Sequence, residues 1–180
     1  MTDAPAPLDP EKVQAFVANA HGDLQYVRGA LAEEPALVNA AWDWGGGDWE
    51  TALGAAAHMG RRQIALLLLE HGARLDLFAA AMLGYFDIVS PVLSDFPDMR
   101  NAKGPHGIPL IEHARAGGDD ARAVLELLES TQVAAAGVGS TEPARRRLDG
   151  ADKRAQVPAL PAPEREQSGA PASPARERNQ

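Results

Sequence analysis

Between Asn39 and Glu50 the chain reads NAAWDWGGGDWE, and this stretch holds all three tryptophans, Trp42, Trp44 and Trp49, among the acids Asp43, Asp48 and Glu50. Tryptophan is costly to leave exposed and is enriched at binding hot spots. Neighbouring carboxylates favour a basic or cationic partner and speed its encounter at low salt. An indole face can also hold a cation directly. Alternation along an extended backbone would put Trp42 and Trp44 on one side. Gly45, Gly46 and Gly47 must turn the chain, since glycine takes positive φ at little steric cost. Two readings stand side by side: an aromatic wall for a partner, or tryptophans filling a hole that would otherwise lose contacts.

Two histidines widen the chemistry. His106 sits in the tight turn Gly104-Pro105-His106-Gly107, where its ring either bonds a ligand or braces the turn. With Asp48, Glu50 and His58 it could converge as acid and base. The five histidines, at 21, 58, 71, 106 and 113, show no HExxH or other close metal spacing, so no metal is expected. The absence of cysteine excludes disulfides, thiolate nucleophiles and Cys-based zinc sites. No G-x-S-x-G elbow occurs. The three glycines precede an acidic DWE rather than a phosphate-cradling helix start. Neither catalysis nor a cofactor is expected.

The elements that would position these residues repeat along the chain. In TALGAAAHMGRRQIALLLLEHGARLD, Thr51 is a candidate N-cap, and Leu53, Ala56 and Ala57 form a small apolar stripe. Gly60 suits a left-handed turn. Ile64, Ala65, Leu67 and Leu68 give a second apolar face at helical spacing. Gly22, Gly60, Gly84 and Gly117 hold equivalent places, separated by 38, 24 and 33 residues, and each precedes a second apolar helix. Such short helices must bury their faces against neighbours.

Thr51-Ala52-Leu53-Gly54-Ala55-Ala56 resembles the T-P-L-H-x-A signature of the ankyrin repeat, whose period is about 33 residues. Ile108-Pro109-Leu110-Ile111-Glu112-His113 is a weaker copy, and Gly72-Ala73 followed by Asp76 matches the usual repeat end. The resemblance covers about residues 12 to 130. WGGGDWETALGAAAH, LDLFAAAMLG and GPHGIPL also look like small stand-alone bacterial ankyrin-repeat proteins. It implies helix pairs joined by hairpin fingers. The first finger is lengthened by about five residues, and one is missing between Leu75 and Leu77. It also implies a groove lined by finger tips and by residues just before each turn glycine. One such column is Ala20, His58, Met82 and Arg115; another is His21, Met59, Leu83 and Ala116. Met82, Leu83 and Tyr85 are then an apolar docking patch, unless the long finger covers them.

Charge divides the chain. The first 130 residues carry 9 Lys/Arg and 19 Asp/Glu, and the remaining 50 carry 8 and 6. An acidic folded part disfavours nucleic acid. The tail has six prolines and no aromatic residue, too little apolar surface to offset chain entropy. Its Arg145, Arg146 and Arg147 could steer an acidic partner, or be part of a solvated tail. The start, MTDAPAPLDPEK, reads as neither signal nor transit peptide. No apolar run approaches the ~20 residues of a membrane helix. A cytoplasmic setting is expected.

The sequence therefore predicts an all-α ankyrin-repeat solenoid of about four helix-turn-helix repeats over 9–130. A flexible start (1–8) precedes it, and a disordered Ala/Pro/Arg-rich tail (131–180) follows. The expected function is a monomeric, non-catalytic protein-interaction module. Its expected contact residues are Trp42, Trp44, Asp48, Trp49, Glu50, His58, Met82, Tyr85 and His106. The competing readings are a small-molecule binder or hydrolase between the Trp-rich finger and the GPHG turn, and a homo-oligomeric assembly protein.

Overall fold

The computed structural model describes residues 6–137, and these are mostly helical. Helices α1 (Pro10–Asn19) and α2 (Leu24–Glu33) form a first pair. Strands β1 (Ala41–Asp43) and β2 (Trp49–Thr51) follow, then α3 (Ala52–His58) with α4 (Arg62–Glu70), and α5 (Leu77–Leu83) with α6 (Phe86–Asp95). A 3-10 turn at Pro105–Gly107 precedes α7 (Leu110–Ala116) and α8 (Arg122–Gly137). Helix α8 runs to Gly137, beyond the boundary the composition suggested at Ser130; the rest of the predicted tail, with Arg145 to Arg147, and residues 1–5 lie outside the described residues. Among the described residues no helix is long and apolar enough to cross a membrane.

Side chains start the helices where the sequence places them. Asp9, ahead of Pro10, accepts from the Glu11 amide at 2.9 Å, and Thr51 accepts from the Gly54 amide at 3.0 Å. Asp23 and Asp76 do the same for α2 and α5. Each cap satisfies an amide that the helix itself cannot.

The turn glycines are needed for two separate reasons. Gly84 takes φ 76°, and a Cβ there would stand 2.0 Å from the Asp120 carbonyl oxygen. Gly117 keeps an ordinary φ of −72°, and here the need is space: its Cβ would lie 2.0 Å from the Met82 carbonyl oxygen. The left-handed residue of that turn is the next one, Gly118. Turns of neighbouring pairs thus touch backbone to backbone. Arginines reinforce them: Arg61 donates to the His21 carbonyl at 2.8 Å and Arg62 to the Leu83 carbonyl at 3.0 Å.

Helix α1 packs on α3, α3 on α5 and α5 on α7, so the first helices form a row; α2 packs on α4 and α6 on α8. The row closes because its residues are small. Ala52 to Ala57 are all buried, as are Ala79 to Leu83. The second helices supply bulk: Val27, Leu31, Ile64, Leu68, Val89, Leu93, Val124 and Leu128 fill the seam behind the row.

Met82 and Leu83 are therefore core, at 0% and 2% exposure, and do not form the exposed patch that their column position suggested. Ala20 of the same column is also fully buried. Ala20, Met82 and Leu83 thus point into the tightly spaced row, where the resemblance placed them on its open side, whereas Met59, Arg115 and Ala116 are exposed. Tyr85 is half-buried against the core at the α5–α6 turn, beyond the end of α5 opposite its capped start.

No strand occupies Ala73–Asp76, where the period lacks a finger. Asn39 holds this short connection from the preceding one, donating to the Gly72 carbonyl at 3.1 Å and accepting from the Arg74 amide at 2.9 Å.

Two stability measurements check this packing. Leu68 is fully buried, and Leu68→Ala lowers unfolding stability by about 2–5 kcal/mol in urea titration; a change within error would place that side chain outside the core. Gly84→Ala costs more than the roughly 1–2 kcal/mol of a left-handed alanine, because the neighbouring backbone must also move.

Candidate functional site

The tryptophan-rich stretch is a β-hairpin. Antiparallel β1 and β2 pair Ala41 with Thr51, Trp42 with Glu50 and Asp43 with Trp49. The Trp44 amide extends the ladder to the Asp48 carbonyl at 3.0 Å. Gly45, Gly46 and Gly47 all take positive φ, at 122°, 68° and 87°. Asp43 braces the loop by accepting from the Gly45 and Gly47 amides at 2.8 and 3.2 Å.

The alternation of strand residues then sorts the three tryptophans. Trp42 stands opposite Glu50 and packs half-buried against the core. The Trp44 indole N–H donates to Glu50 Oε2 at 2.7 Å, so Trp42, Trp44 and Glu50 share the inner side. Trp49 pairs with Asp43 on the other side and is 62% exposed. Filling and display, which the sequence offered as alternatives for all three, are divided between them.

Glu50 is only 1% exposed, and three imidazoles face it. The Nε2 atoms of His58, His106 and His21 lie 2.9, 3.4 and 3.6 Å from its carboxylate oxygens. The histidines come from three elements: His58 ends α3, His21 follows α1 in its turn, and His106 tips the Pro105–Gly107 turn. Their rings pack edge to face, with His58 5.0 Å from His21 and 5.4 Å from His106 between centroids. Trp44 lies over the edge of the group, 6.5 Å from His21 and 6.4 Å from His106.

His106 bridges the two fingers. Its amide donates to Asp48 Oδ1 at 2.8 Å, and its ring Nδ1 lies 2.7 Å from Asp48 Oδ2. It holds φ 58°, the one non-glycine positive φ among the described residues. This geometry braces the Pro105–Gly107 turn against the hairpin loop.

Of the sequence-predicted set, Asp48, Glu50, His58 and His106 are brought together with Trp44, and Trp42 lies behind them. Met82 and Tyr85 are elsewhere. His21 joins the site without having been singled out for it. It falls one position before Gly22, in the column of Met59 and not of His58, so repeat spacing gave no signal for it. His71 is apart, its ring bonding the Leu67 carbonyl at 2.9 Å at the end of α4.

Electrostatics follow burial and bonding. Burial pushes the Glu50 carboxyl up, but bonds from His58 and Trp44 and the nearness of His21 and His106 outweigh it, so the net shift is downward. The His106 amide holds Asp48 below the usual carboxylate range, and its ring adds to this. His113, fully buried behind the cluster, is pushed down from 6.5 chiefly by desolvation. Its Nδ1–H donates to the Pro109 carbonyl at 3.0 Å, and its Nε2 is buried without a partner.

The donor atoms of His21, Glu50, His58 and His106 all lie within 4.8 Å of one another, so these four residues could hold a metal ion. No family model matches the chain, and no match was found among curated proteins or solved structures.

His113 yields a pH prediction. A histidine kept neutral by burial binds fewer protons folded than unfolded, so stability rises with pH between its lowered folded value and 6.5. The contribution is intact above 6.5 and is lost as pH falls below it. His113→Leu should flatten the decline in urea midpoint between pH 7.5 and 5.5; an unaltered slope would mean that His113 does not carry it.

Proposed function

We propose that the chain is an ankyrin-repeat module that acts in the cytoplasm as a monomer and binds a protein partner without catalysis. The TALGAA start of α3, the turn glycines and four helix pairs with their first helices in a row support the repeat assignment. Hairpin-like fingers stand between the first and second pairs and between the third and fourth. The second is closed by the Lys103–Pro109 bridge.

The carrying observation is Trp49. A large aromatic, 62% exposed, projects from a hairpin braced at its loop, its base and its neighbour. It borders a groove of about 360 Å³ lined also by Asp48, Asp76, Phe78, Lys103 and Pro105, at the position of the missing finger. Rigid aromatics lose little entropy on binding and so make effective anchors. The surplus of acids over bases in the first 130 residues favours a basic partner segment. The same surplus argues against nucleic acid.

The convergent Asp48, Glu50, His58 and His106 speak less for turnover than for a fixed structure. Each carboxylate is already engaged at both oxygens, Asp48 by the amide and ring of His106 and Glu50 by Trp44 and His58, and Glu50 is buried beneath Trp44 and the imidazoles.

Trp49→Ala tests the reading. As an exposed change it should alter stability by no more than about 0.5 kcal/mol. As a hot spot it should weaken partner binding by about 2 kcal/mol or more, roughly thirtyfold. Intact and Trp49→Ala chains serve as paired baits, read by mass spectrometry and then by titration of any protein lost from the variant. Identical captured sets at equal stability would remove Trp49 as the anchor.

A further inference from the structure

The structure points to a divalent metal site that no sequence motif announces, in which we infer that His21, His58, His106 and Glu50 bind one zinc-like transition-metal ion. It stands independently of any partner at Trp49.

The first argument is the tautomers. His21 Nδ1 lies 3.0 and 3.2 Å from the Ala18 and Val17 carbonyl oxygens. A carbonyl only accepts, so this nitrogen carries the proton. His106 Nδ1 faces the Asp48 carboxylate at 2.7 Å, and the same logic applies. In their neutral form both rings therefore turn an unprotonated Nε2 towards Glu50. Two lone pairs then face a buried carboxylate, at 3.6 and 3.4 Å, an arrangement that repels unless a cation lies between. No lysine or arginine pairs with Glu50 among its described contacts. The compensating charge is either an ion or extra protons on the imidazoles.

The second argument is spacing and donor type. Metal–nitrogen and metal–oxygen bonds of about 2.1 Å in a tetrahedron put neighbouring donors roughly 3.4 Å apart. The three Nε2-to-carboxylate distances run from 2.9 to 3.6 Å, and the widest separation in the set is within 4.8 Å. On binding, the His58 Nε2 proton passes to Nδ1 and the hydrogen bond to Glu50 Oε1 gives way to the ion, while small ring rotations close the longer edges. Three imidazoles and one carboxylate suit zinc and its late first-row neighbours and suit magnesium or calcium poorly.

The third argument is the outer layer. Ligating histidines characteristically donate their other N–H to a carbonyl or carboxylate, which fixes the ring and raises its basicity. His21 has its carbonyls and His106 has Asp48. Glu50 is oriented by the Trp44 indole N–H, which donates to Oε2 at 2.7 Å; the second lone pair of that oxygen, faced by the Nε2 atoms of His21 and His106, is left for the ion. His106 also holds φ 58° here, a backbone position that costs energy in most residues and tends to persist where function requires it. Four protein ligands close the shell, so the ion would be a structural clamp and not a reaction centre. The partly exposed edges of His21 and His106, at 28% and 34%, give it a way in.

The experiment uses the untagged full chain, stripped with chelator and dialysed. Titrated zinc should bind at one ion per chain and raise the melting midpoint by at least about 5 °C at saturation, while magnesium at the same concentration should not. Cobalt(II) should give the strong visible absorption of a four-coordinate ion. His21→Ala and His106→Ala, both at partly exposed positions, should each weaken zinc binding at least tenfold. Asp48→Asn should weaken it about 10- to 100-fold through His106. His71→Ala should leave it unchanged. Circular dichroism checks that each variant folds, and should one fail, the cobalt spectrum of the intact chain decides alone. Substoichiometric zinc, an octahedral cobalt spectrum, or binding that survives in folded His21→Ala and His106→Ala would overturn the site and leave protonated imidazoles as the charge that holds Glu50.

Discussion

A carboxylate with 1% exposure organises this end of the molecule. Glu50 lies on the second strand of a hairpin with only three residues per strand, and two-stranded ribbons of that size are marginal in water. What holds the hairpin is mostly contact made from its inner side. Trp42 packs into the core, Trp44 bonds Glu50, and Glu50 gathers rings from the ends of α1 and α3 and from the Pro105–Gly107 turn. Burying an anion is costly unless it is fully partnered. The cluster therefore either holds together as a unit or fails as one. Its members should show strong non-additivity, as close polar networks do.

Two connections between the helix pairs act together. The finger between the first two pairs is long, with three consecutive left-handed glycines that lengthen and turn it. The next connection has no strand and is pinned by Asn39. Without a finger in between, Asp48 reaches His106, 58 positions away in the chain. The short connection thus leaves room for a clasp between the hairpin and the Pro105–Gly107 turn, and the glycines supply the reach.

What was legible in the sequence follows from how local each signal is. Caps such as Asp9 and Thr51, the turn at Gly84 and the leucine faces of the second helices act within a few residues, so spacing alone reveals them. The convergence of Asp48, Glu50, His58 and His106 could be foreseen only as an option, because it depends on which fingers are present. His21 was illegible as a ligand: it meets Glu50 through the stacking of α1 on α3, and spacing along the chain carries no trace of that. Met82 misled for the opposite reason. A methionine beside a turn glycine can face either way, and the alanine-rich row draws the helices so close that it turns inward.

Coupling between the cluster and the outer face follows from strand geometry. Successive residues on a strand point to opposite sides, so Trp49 and Glu50 share one backbone segment while facing solvent and core respectively. Any force that fixes the Glu50 side chain also fixes the direction of Trp49. The Asp48–His106 clasp acts on the residue just before it. An exposed indole on a free loop would lose conformational entropy when it binds; one on a hairpin clasped at both ends has already lost it. The contacts that hold Glu50 therefore also bear on how firmly Trp49 is presented to solvent from the opposite side of the strand.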